Sequence, residues 1–501
     1  MGTESRFRPR LRGVDRTGSG ADYHYRDESK FYLAMEQARE YDRNDPIIGP
    51  GVGRVLNNVL QGGFTLDVQT GNDKLDQELT QRWNDWALEP FNCHIEQEFN
   101  FDRIAELVLR AALVDGDHFV LPLQEGSLQC VEAHRVRTPS SDRSKTVHGI
   151  KLDPNGVRTQ YWITKEDLGT LSRPKVLADI VPYEAWDGDK KQVLQVYDPK
   201  RTSQRRGVSA FNGIADLAGM FDDLQFATLV KAQVASCFAI FRELSPGGDL
   251  NAPGQIGSNE SDTRPDGTTR LIEGIGPGME LFGRMGEKLQ GFAPNIPNAE
   301  FFPHSMLILT IIAINLGVPV AVLLLDPTKT NFSGWRGAID EARKGFRRIQ
   351  KWLRESLHEP VYEWKLRQWI AQDPSLGRAR RGVNLFGYRW NTPTWSYIEP
   401  QKDIAANALE IRTMQTSPRR SAAARGLIFE EMLAELVEDN VMAIRLAKTA
   451  AKAINKEFSD DDSPVNWMQC LALPMPDGVS LNVPMNQEPE TPEPAPVNDG
   501  K

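Results

Sequence analysis

The sequence predicts an α+β protein, on three observations. Apolar residues at helical spacing alternate with hairpin signals from about residue 21 to residue 199. Two long apolar helical patterns bracket a turn-rich stretch, and further helical patterns fill residues 399–456. Striped helices and short alternating strands must bury their apolar faces against each other, which is the layered packing of a mixed fold.

Residues 27–41 carry Phe31, Ala34, Met35 and Ala38 at steps of three and one, an amphipathic helix that stops at Asn44-Asp45-Pro46. A shorter helix over 52–60 ends at Gly62-Gly63, and residues 64–68 alternate as a strand. Gly49, Gly51 and Gly53 superficially suggest a phosphate loop, yet they follow a proline-containing turn and lack the dinucleotide spacing. Residues 75–87 and 101–114 are helical, the first with Leu79, Trp83 and Trp86 on one side. Asp115-Gly116-Asp117 then turns the chain into a strand over 118–124, with 127–136 as its hairpin partner. A second hairpin, 149–166, turns at Pro154-Asn155-Gly156, and strand-like pieces at 178–186 and 191–198 complete the mixed region.

The basic loop 198–207, with Arg201, Arg205 and Arg206, leads to one long helix expected over 209–243. Residues 245–267 are nearly devoid of apolar side chains, so a long mobile excursion is expected there. Two short strands flank Gly276-Pro277-Gly278, and a helix follows to Leu316. A connector over 373–382 leads to a strand-like 383–395, then the helices of 399–456. From residue 457 proline and acidic residues dominate, and disorder is expected.

Residues 308–325 are apolar enough to suggest a membrane span, for which ~20 residues suffice. Pro319 argues against it, because it lacks an amide donor and pushes Val318 out of helical conformation. Residues 320–325 then read as a short buried strand or an extended entry into the polar loop 326–333. Beyond that loop, Trp335, Ile339, Ala342, Phe346, Ile349, Leu353 and Leu357 form the narrow seam of a long packed helix. Arg336, Arg343, Arg347 and Arg354 fall in a stripe beside the seam. That stripe is either a salt-bridged face or a row of cations turned to a polyanion or a neighbouring subunit.

Composition sets limits. A chain of 501 residues can bury a large core, and a net charge of -9 argues against a protein wrapped around nucleic acid. The four cysteines include no CxxC pair, so neither a disulfide framework nor a zinc ribbon is indicated. Residues 1–20 are Arg-rich without a signal-peptide core and read as a mobile basic arm. A metal-dependent nuclease built on Asp115, Asp117, Asp222 or Asp223 is an alternative class, as is a membrane pore over 308–325. Adjacent Asp222 and Asp223 point apart on a helix, and neither GxxxxGK[ST] nor HExxH is present.

Several stretches, in order, resemble the lambda-type portal proteins of tailed bacteriophages: AREYDRNDPIIGPGV, RWNDWA, the Asp115-Gly116-Asp117 turn and RTSQRRGVSAF. LIEGIGPGMELF, AINLGVPVAVLLLDPTKTNFSGWRGA and TPTWSYIEPQKD continue the series. The resemblance spans about residues 27–456. It implies a non-enzymatic, cofactor-free and metal-free ring, usually of twelve subunits, at the portal vertex of a virion, assembled in the host cytoplasm. Double-stranded DNA would pass through it during packaging and ejection. The implied partners are the large terminase subunit, major capsid and scaffolding proteins and a head-completion connector, with no membrane.

The resemblance also implies a map. Residues 21–208 would be the wing, 209–243 and 299–317 the stem helices, and 244–298 the clip. Residues 318–333 would be the tunnel-loop region, 334–398 the long wing helix with its returning strand, 399–456 the crown, and 457–501 a tail. Thr328, Lys329, Thr330 and Asn331 would face DNA in the channel. Arg336, Arg343, Arg347 and Arg354 would meet a neighbouring subunit or DNA.

Overall fold

The structure, a computed structural model, describes residues 28–139, 141, 146–165, 180–243, 259–263, 269–273, 279–283, 301–326, 328, 330–376, 378, 382–395, 400–423, 425, 427–457 and 464–470. The described residues up to Arg412 form one compact unit, and Thr413–Ala423 with those from Leu427 onwards form a second.

The first unit opens with α1 (Glu28–Asn44), α2 (Ile48–Val59), β1 (Thr65–Val68), α3 (Asp73–Ala87), α4 (Pro90–Cys93) and α5 (Phe101–Val114). Strands follow: β2 (Asp117–Pro122), β3 (Leu128–Glu132), β4 (Thr146–Val147), β5 (Ile150–Leu152), β6 (Arg158–Thr164), β7 (Ile180–Glu184), β8 (Trp186–Asp187), β9 (Lys190–Lys191) and β10 (Leu194–Tyr197). Next come α6 (Ala215–Cys237), β11 (Phe238–Glu243), β12 (Asn259–Thr263), β13 (Thr269–Glu273) and β14 (Met279–Gly283). The unit ends with α7 (Phe301–Leu316), α8 (Val320–Leu324), α9 (Phe332–Leu353), α10 (Glu359–Gln372), β15 (Tyr388–Asn391) and α11 (Pro400–Arg412). A π turn, Arg354–His358, joins α9 to α10. The second unit holds α12 (Pro418–Ala423), α13 (Phe429–Glu457) and the 3-10 turn Trp467–Cys470.

Antiparallel sheets run β10-β2-β3 and β4-β5-β6-β7, and β1 pairs with β15 far along the chain. Every residue of β2 is buried. Val120 faces the large helical core, while Phe119 and Leu121 face a smaller core with Val131, Ile150 and Ile163. Burial on both faces is why this strand is an apolar run rather than an alternation. The helical core gathers an aromatic cluster in which Trp83 meets Trp86, Phe101, Tyr362 and Trp390 edge-on or tilted. Side-chain caps start α3 and α5: Asn72 accepts from the Leu75 N–H and Asn100 from the Arg103 N–H. The Gly49-Gly51-Gly53 trio lies inside α2. A Cβ on Gly49 would stand 2.2 Å from the Asp42 carbonyl oxygen, and one on Gly51 would meet Leu316 and Leu323. Those two glycines serve close helix packing.

Arg206, from the basic loop, is fully buried beside the smaller core and the Phe31 end of α1. Its Nε and Nη2 donate to the two oxygens of Asp117 at 2.6 and 3.1 Å. Nη1 donates to the carbonyls of Val136 and His148, and Nη2 also to that of Ala133. All five guanidinium hydrogens are thereby used. The rings of Phe31 and Phe119 lie about the guanidinium at 5.0 and 5.2 Å. The backbone beside it allows no side chain, because a Cβ on Gly207 would come 1.7 Å from the Gly116 carbonyl oxygen.

Several expectations are corrected. The helix expected over 209–243 ends at Cys237, and Phe238–Glu243 is a strand paired in parallel with β14. Phe-Ala-Ile-Phe suits a pleated surface as well as a helix, and a partner distant in sequence decides between them. Part of the excursion expected at 245–267 is a strand: β12 pairs with all five residues of β13. Its sequence, Asn-Glu-Ser-Asp-Thr, has little strand propensity of its own. Residues 320–324 form a helix, started by Pro319 at its N-cap, where a strand or extended segment is expected. Disorder from residue 457 does not hold for 464–470, because the Asn455 side chain donates to the Val465 carbonyl and accepts from its N–H. Residues 1–20 and 471–501 lie outside the described residues.

Replacing Arg206 with Met should cost ~3–5 kcal/mol, since Asp117 would keep a buried, unpaired charge. A denaturant midpoint within experimental error of the parent chain would rule out that role. A pH effect is also expected. Burial pushes His358 down to about 3 and His118 down to about 4, each from 6.5. The unfolded chain therefore binds more protons between pH 6.5 and about 4, so stability is present above pH 6.5 and falls as pH drops. Denaturation of His358→Phe, measured across that window, should show a shallower fall than the parent.

Candidate nucleic-acid interface

Helix α7 stops where Gly317 adopts φ +71°, with the Val318 N–H donating to Ala313 and the Gly317 N–H to Ile314. This paired capping closes the helix one residue before the Val-Pro step. α8 carries the chain one short turn further and ends at Leu325, which is left-handed at φ 54° and exposed. The Asp326 carboxylate then accepts from the backbone N–H of Thr328 at 3.0 Å and from its hydroxyl. At the far end Asn331 caps α9, its side-chain oxygen accepting from the Gly334 N–H at 2.7 Å.

The polar loop is thus pinned at both ends by short-range bonds of its own carboxylate and amide. Thr328, Thr330 and Asn331 are exposed together, although the Asn331 oxygen is engaged in the cap. Lys329, expected as the loop's cation, lies outside the described residues. Hydroxyl and amide groups in this setting can make and release hydrogen bonds to phosphate without sequence preference.

The basic stripe turns towards its own chain along much of its length. Arg336 donates to Asp403 of α11 at 3.0 Å. Arg343 reaches Asp340 at 3.5 Å, and burial lowers its pKa. Both Arg343 and Arg347 lie 5.6 Å from the ring of Trp395, and Arg347 is exposed. Arg354 pairs with Glu355 and Glu359. Its neighbours in the structure are acids and an indole, so the stripe braces the segment that leads into α11.

The acidic residues considered for a nuclease are not brought together. Asp115 holds Arg39 through two bonds, 2.8 and 2.6 Å, and Asp117 holds Arg206. Asp222 and Asp223 sit on α6, away from that pair in sequence and element. Among the described residues no group of three His, Cys, Asp or Glu could hold a metal ion. Among them, too, no helix is long and apolar enough to cross a membrane.

Sequence reading missed one surface. Met220, Phe226 and Leu229 of α6 and Phe302, Leu307 and Ile314 of α7 are exposed, Leu229 by 69% and Ile314 by 72%. Between the two helices, Leu224, Thr228, Phe301 and Leu307 line an open cleft. The signal was available, since α7 is apolar on nearly all sides and α6 sets Met220, Phe226 and Leu229 outside a single stripe. That marks a helix needing cover from more than one direction.

A family model described as phage portal protein, lambda family, matches residues 7–350. Comparison with curated proteins gives no match. Similar solved structures include the neck of an empty GTA particle computed with C6 symmetry, 13% identical, TM-score 0.38, covering 70% of this chain and 90% of that one. The neck of a native GTA particle computed with C12 symmetry is 12% identical, TM-score 0.39, with 81% and 99% covered. The virion of a native gene transfer agent particle gives 15% identity, TM-score 0.37, and 78% and 99%.

Asn331→Ala removes the cap of α9 and should cost ~1 kcal/mol, with Asn331→Asp retaining most of it. Thermal melting of the two variants checks this, and equal losses for both would show that the cap contributes nothing.

Proposed function

This chain belongs to the lambda family of phage portal proteins, and on that premise we propose that its copies close into a ring at one vertex of a phage-like capsid. Double-stranded DNA passes through the ring when the particle is filled and when it is emptied. The protein is a structural conduit rather than an enzyme. It docks the large terminase subunit during packaging, major capsid and scaffolding proteins during assembly, and a head-completion connector afterwards.

The observation that carries the ring is the exposed apolar surface of α6 and α7. Two adjacent helices of one chain leave side chains such as Leu229 and Ile314 in water, which a second copy packed alongside would remove. In this reading α6 and α7 are the stem, the strands β11 to β14 belong to the clip, and residues 21–208 form the wing together with the long helix and returning strand of 334–398. The helices after residue 399 make the crown, and the ring holds twelve copies.

The loop of Thr328, Lys329, Thr330 and Asn331 faces the channel. One cation among neutral donors grips phosphate weakly, and weak grip suits a channel through which DNA slides. For the stripe, Arg336 and Arg343 hold the chain's own α11 approach. Arg347, exposed although its guanidinium lies near the Trp395 ring, is the member that meets a neighbouring subunit.

Native mass spectrometry and negative-stain microscopy of the purified protein should show a large closed ring. Leu229→Glu combined with Ile314→Glu should convert it to small oligomers or monomers while circular dichroism stays unchanged. A strictly monomeric parent protein across a range of salt would refute the ring. In particles, Lys329→Glu should leave rings intact and lower the DNA content, and an unchanged content would remove the loop from the DNA path.

A further inference from the structure

The β8–β9 hairpin and the helix running from the π turn into α10 enclose a groove of about 480 Å³. The hairpin contributes Trp186, 42% exposed, and Asp187; the helix contributes Glu355, Glu359, Glu363 and Trp364. The three glutamates stand four residues apart, so they form a row on one helix face with ~6 Å between neighbours.

Each glutamate is engaged through one oxygen. Oε1 of Glu355 meets Lys351 and Arg354, Oε1 of Glu359 meets Arg354, and Oε1 of Glu363 accepts from the Tyr388 hydroxyl. A carboxylate has room for further donors on its second oxygen. The groove also carries Lys190, Lys191 and Arg367, with Arg367 held by Asp189 at 3.6 Å and Lys191 over Trp186. Its cations thus sit on the hairpin side and at one end, and what the glutamates offer the groove is their second oxygens.

The chain itself contains a segment of matching pattern. Residues 6–12 read Arg-Phe-Arg-Pro-Arg-Leu-Arg. In an extended backbone alternate residues share a face, so Arg6, Arg8, Arg10 and Arg12 line one side at a spacing of ~6.8 Å, and Phe7, Pro9 and Leu11 the other. That spacing fits the glutamate row. Guanidinium planes also stack on indole rings, and the half-exposed Trp186 stands at the groove with one cation, Lys191, already over its ring.

Reach is sufficient. α1 begins at Glu28, whose carboxylate accepts from the Thr138 N–H near the Asp117 end of β2, and the groove is lined by Pro122 at the other end of that strand. β2 rises ~20 Å over its length, while the residues between the arginine row and α1 can span ~50 Å.

We propose that the Arg-rich arm, residues 6–12, docks as an extended peptide in this groove, with its arginines on Glu355, Glu359 and Glu363. The inference stands apart from the portal reading, since neither the groove nor the arm depends on ring closure. It is tested on the full-length protein by hydrogen exchange with mass spectrometry.

Arg8→Glu with Arg10→Glu lies outside the described fold and should speed exchange of the hairpin over 184–192 by about fivefold, the scale of ~1 kcal/mol. In the reciprocal experiment, Trp186→Ala with Asp187→Lys should speed cleavage of the arm by an arginine-specific protease. In ~1 M salt, which screens exposed pairs, the parent should be cleaved nearly as fast. Unchanged exchange over both 184–192 and 355–371 after charge reversal of the arm overturns the proposal. So does a change confined to any other surface.

Discussion

One buried guanidinium joins the strands of the mixed region to each other and to the loop that leads into α6. Arg206 reaches β2 through Asp117, the turn after β3 through Ala133 and Val136, and the loop before β5 through His148. Each of those segments belongs to a different stretch of chain, and none is bonded to all of the others by its own backbone. Moving a charge pair out of water costs several kcal/mol, and only complete hydrogen bonding offsets it. Here the bonding is complete. The return is geometric: the path from β10 into α6 is fixed relative to β2, and with it the direction in which α6 and α7 leave the body.

Much of this fold is legible in sequence because it is encoded locally. The helices over 75–87 and 101–114 are announced by apolar spacing, with Leu79, Trp83 and Trp86 on one side of the first, and the structure starts each at an asparagine cap, Asn72 and Asn100. The hairpin of β5 and β6 is announced by Pro154-Asn155-Gly156. What escaped was set by strand partners that no local pattern names. β12 has a polar sequence and is a strand because β13 lies beside it. Phe238–Glu243 leaves the helix because β14 is available. Arg206 was read as one of three loop arginines, and nothing in its neighbours distinguishes the buried one from Arg201 or Arg205. Its partner Asp117 was read as a turn residue, which it is, but the turn also delivers a carboxylate to the interior.

The candidate site was legible in part. α7 ends at Leu316, before Pro319, as the spacing predicts, whereas α9 begins at Phe332, inside the loop expected over 326–333, and the arginine stripe runs from α9 into the π turn at Arg354. What sequence could not give was the acceptor. Trp395 and Asp403 are contributed by a segment that returns much later in the chain, and they occupy much of the face that seemed open to a polyanion. An arginine row on a helix states where donors are, and the fold decides what they donate to.

The π turn at Arg354–His358 has a mechanical meaning. Pro360 has no N–H to offer the preceding turn, and the ladder shifts instead, with the Glu359 N–H donating to the Arg354 carbonyl. In an unbroken α-helix Val361 would be rotated ~80° from Leu353. Unwinding through the wider turn recovers much of that angle, and both residues point into the same core. The wide turn works as a phase corrector in a rod of about 60 Å. Without it Val361 would turn away from the core in which Leu353 is buried, and only one half of the rod could rest on that bed.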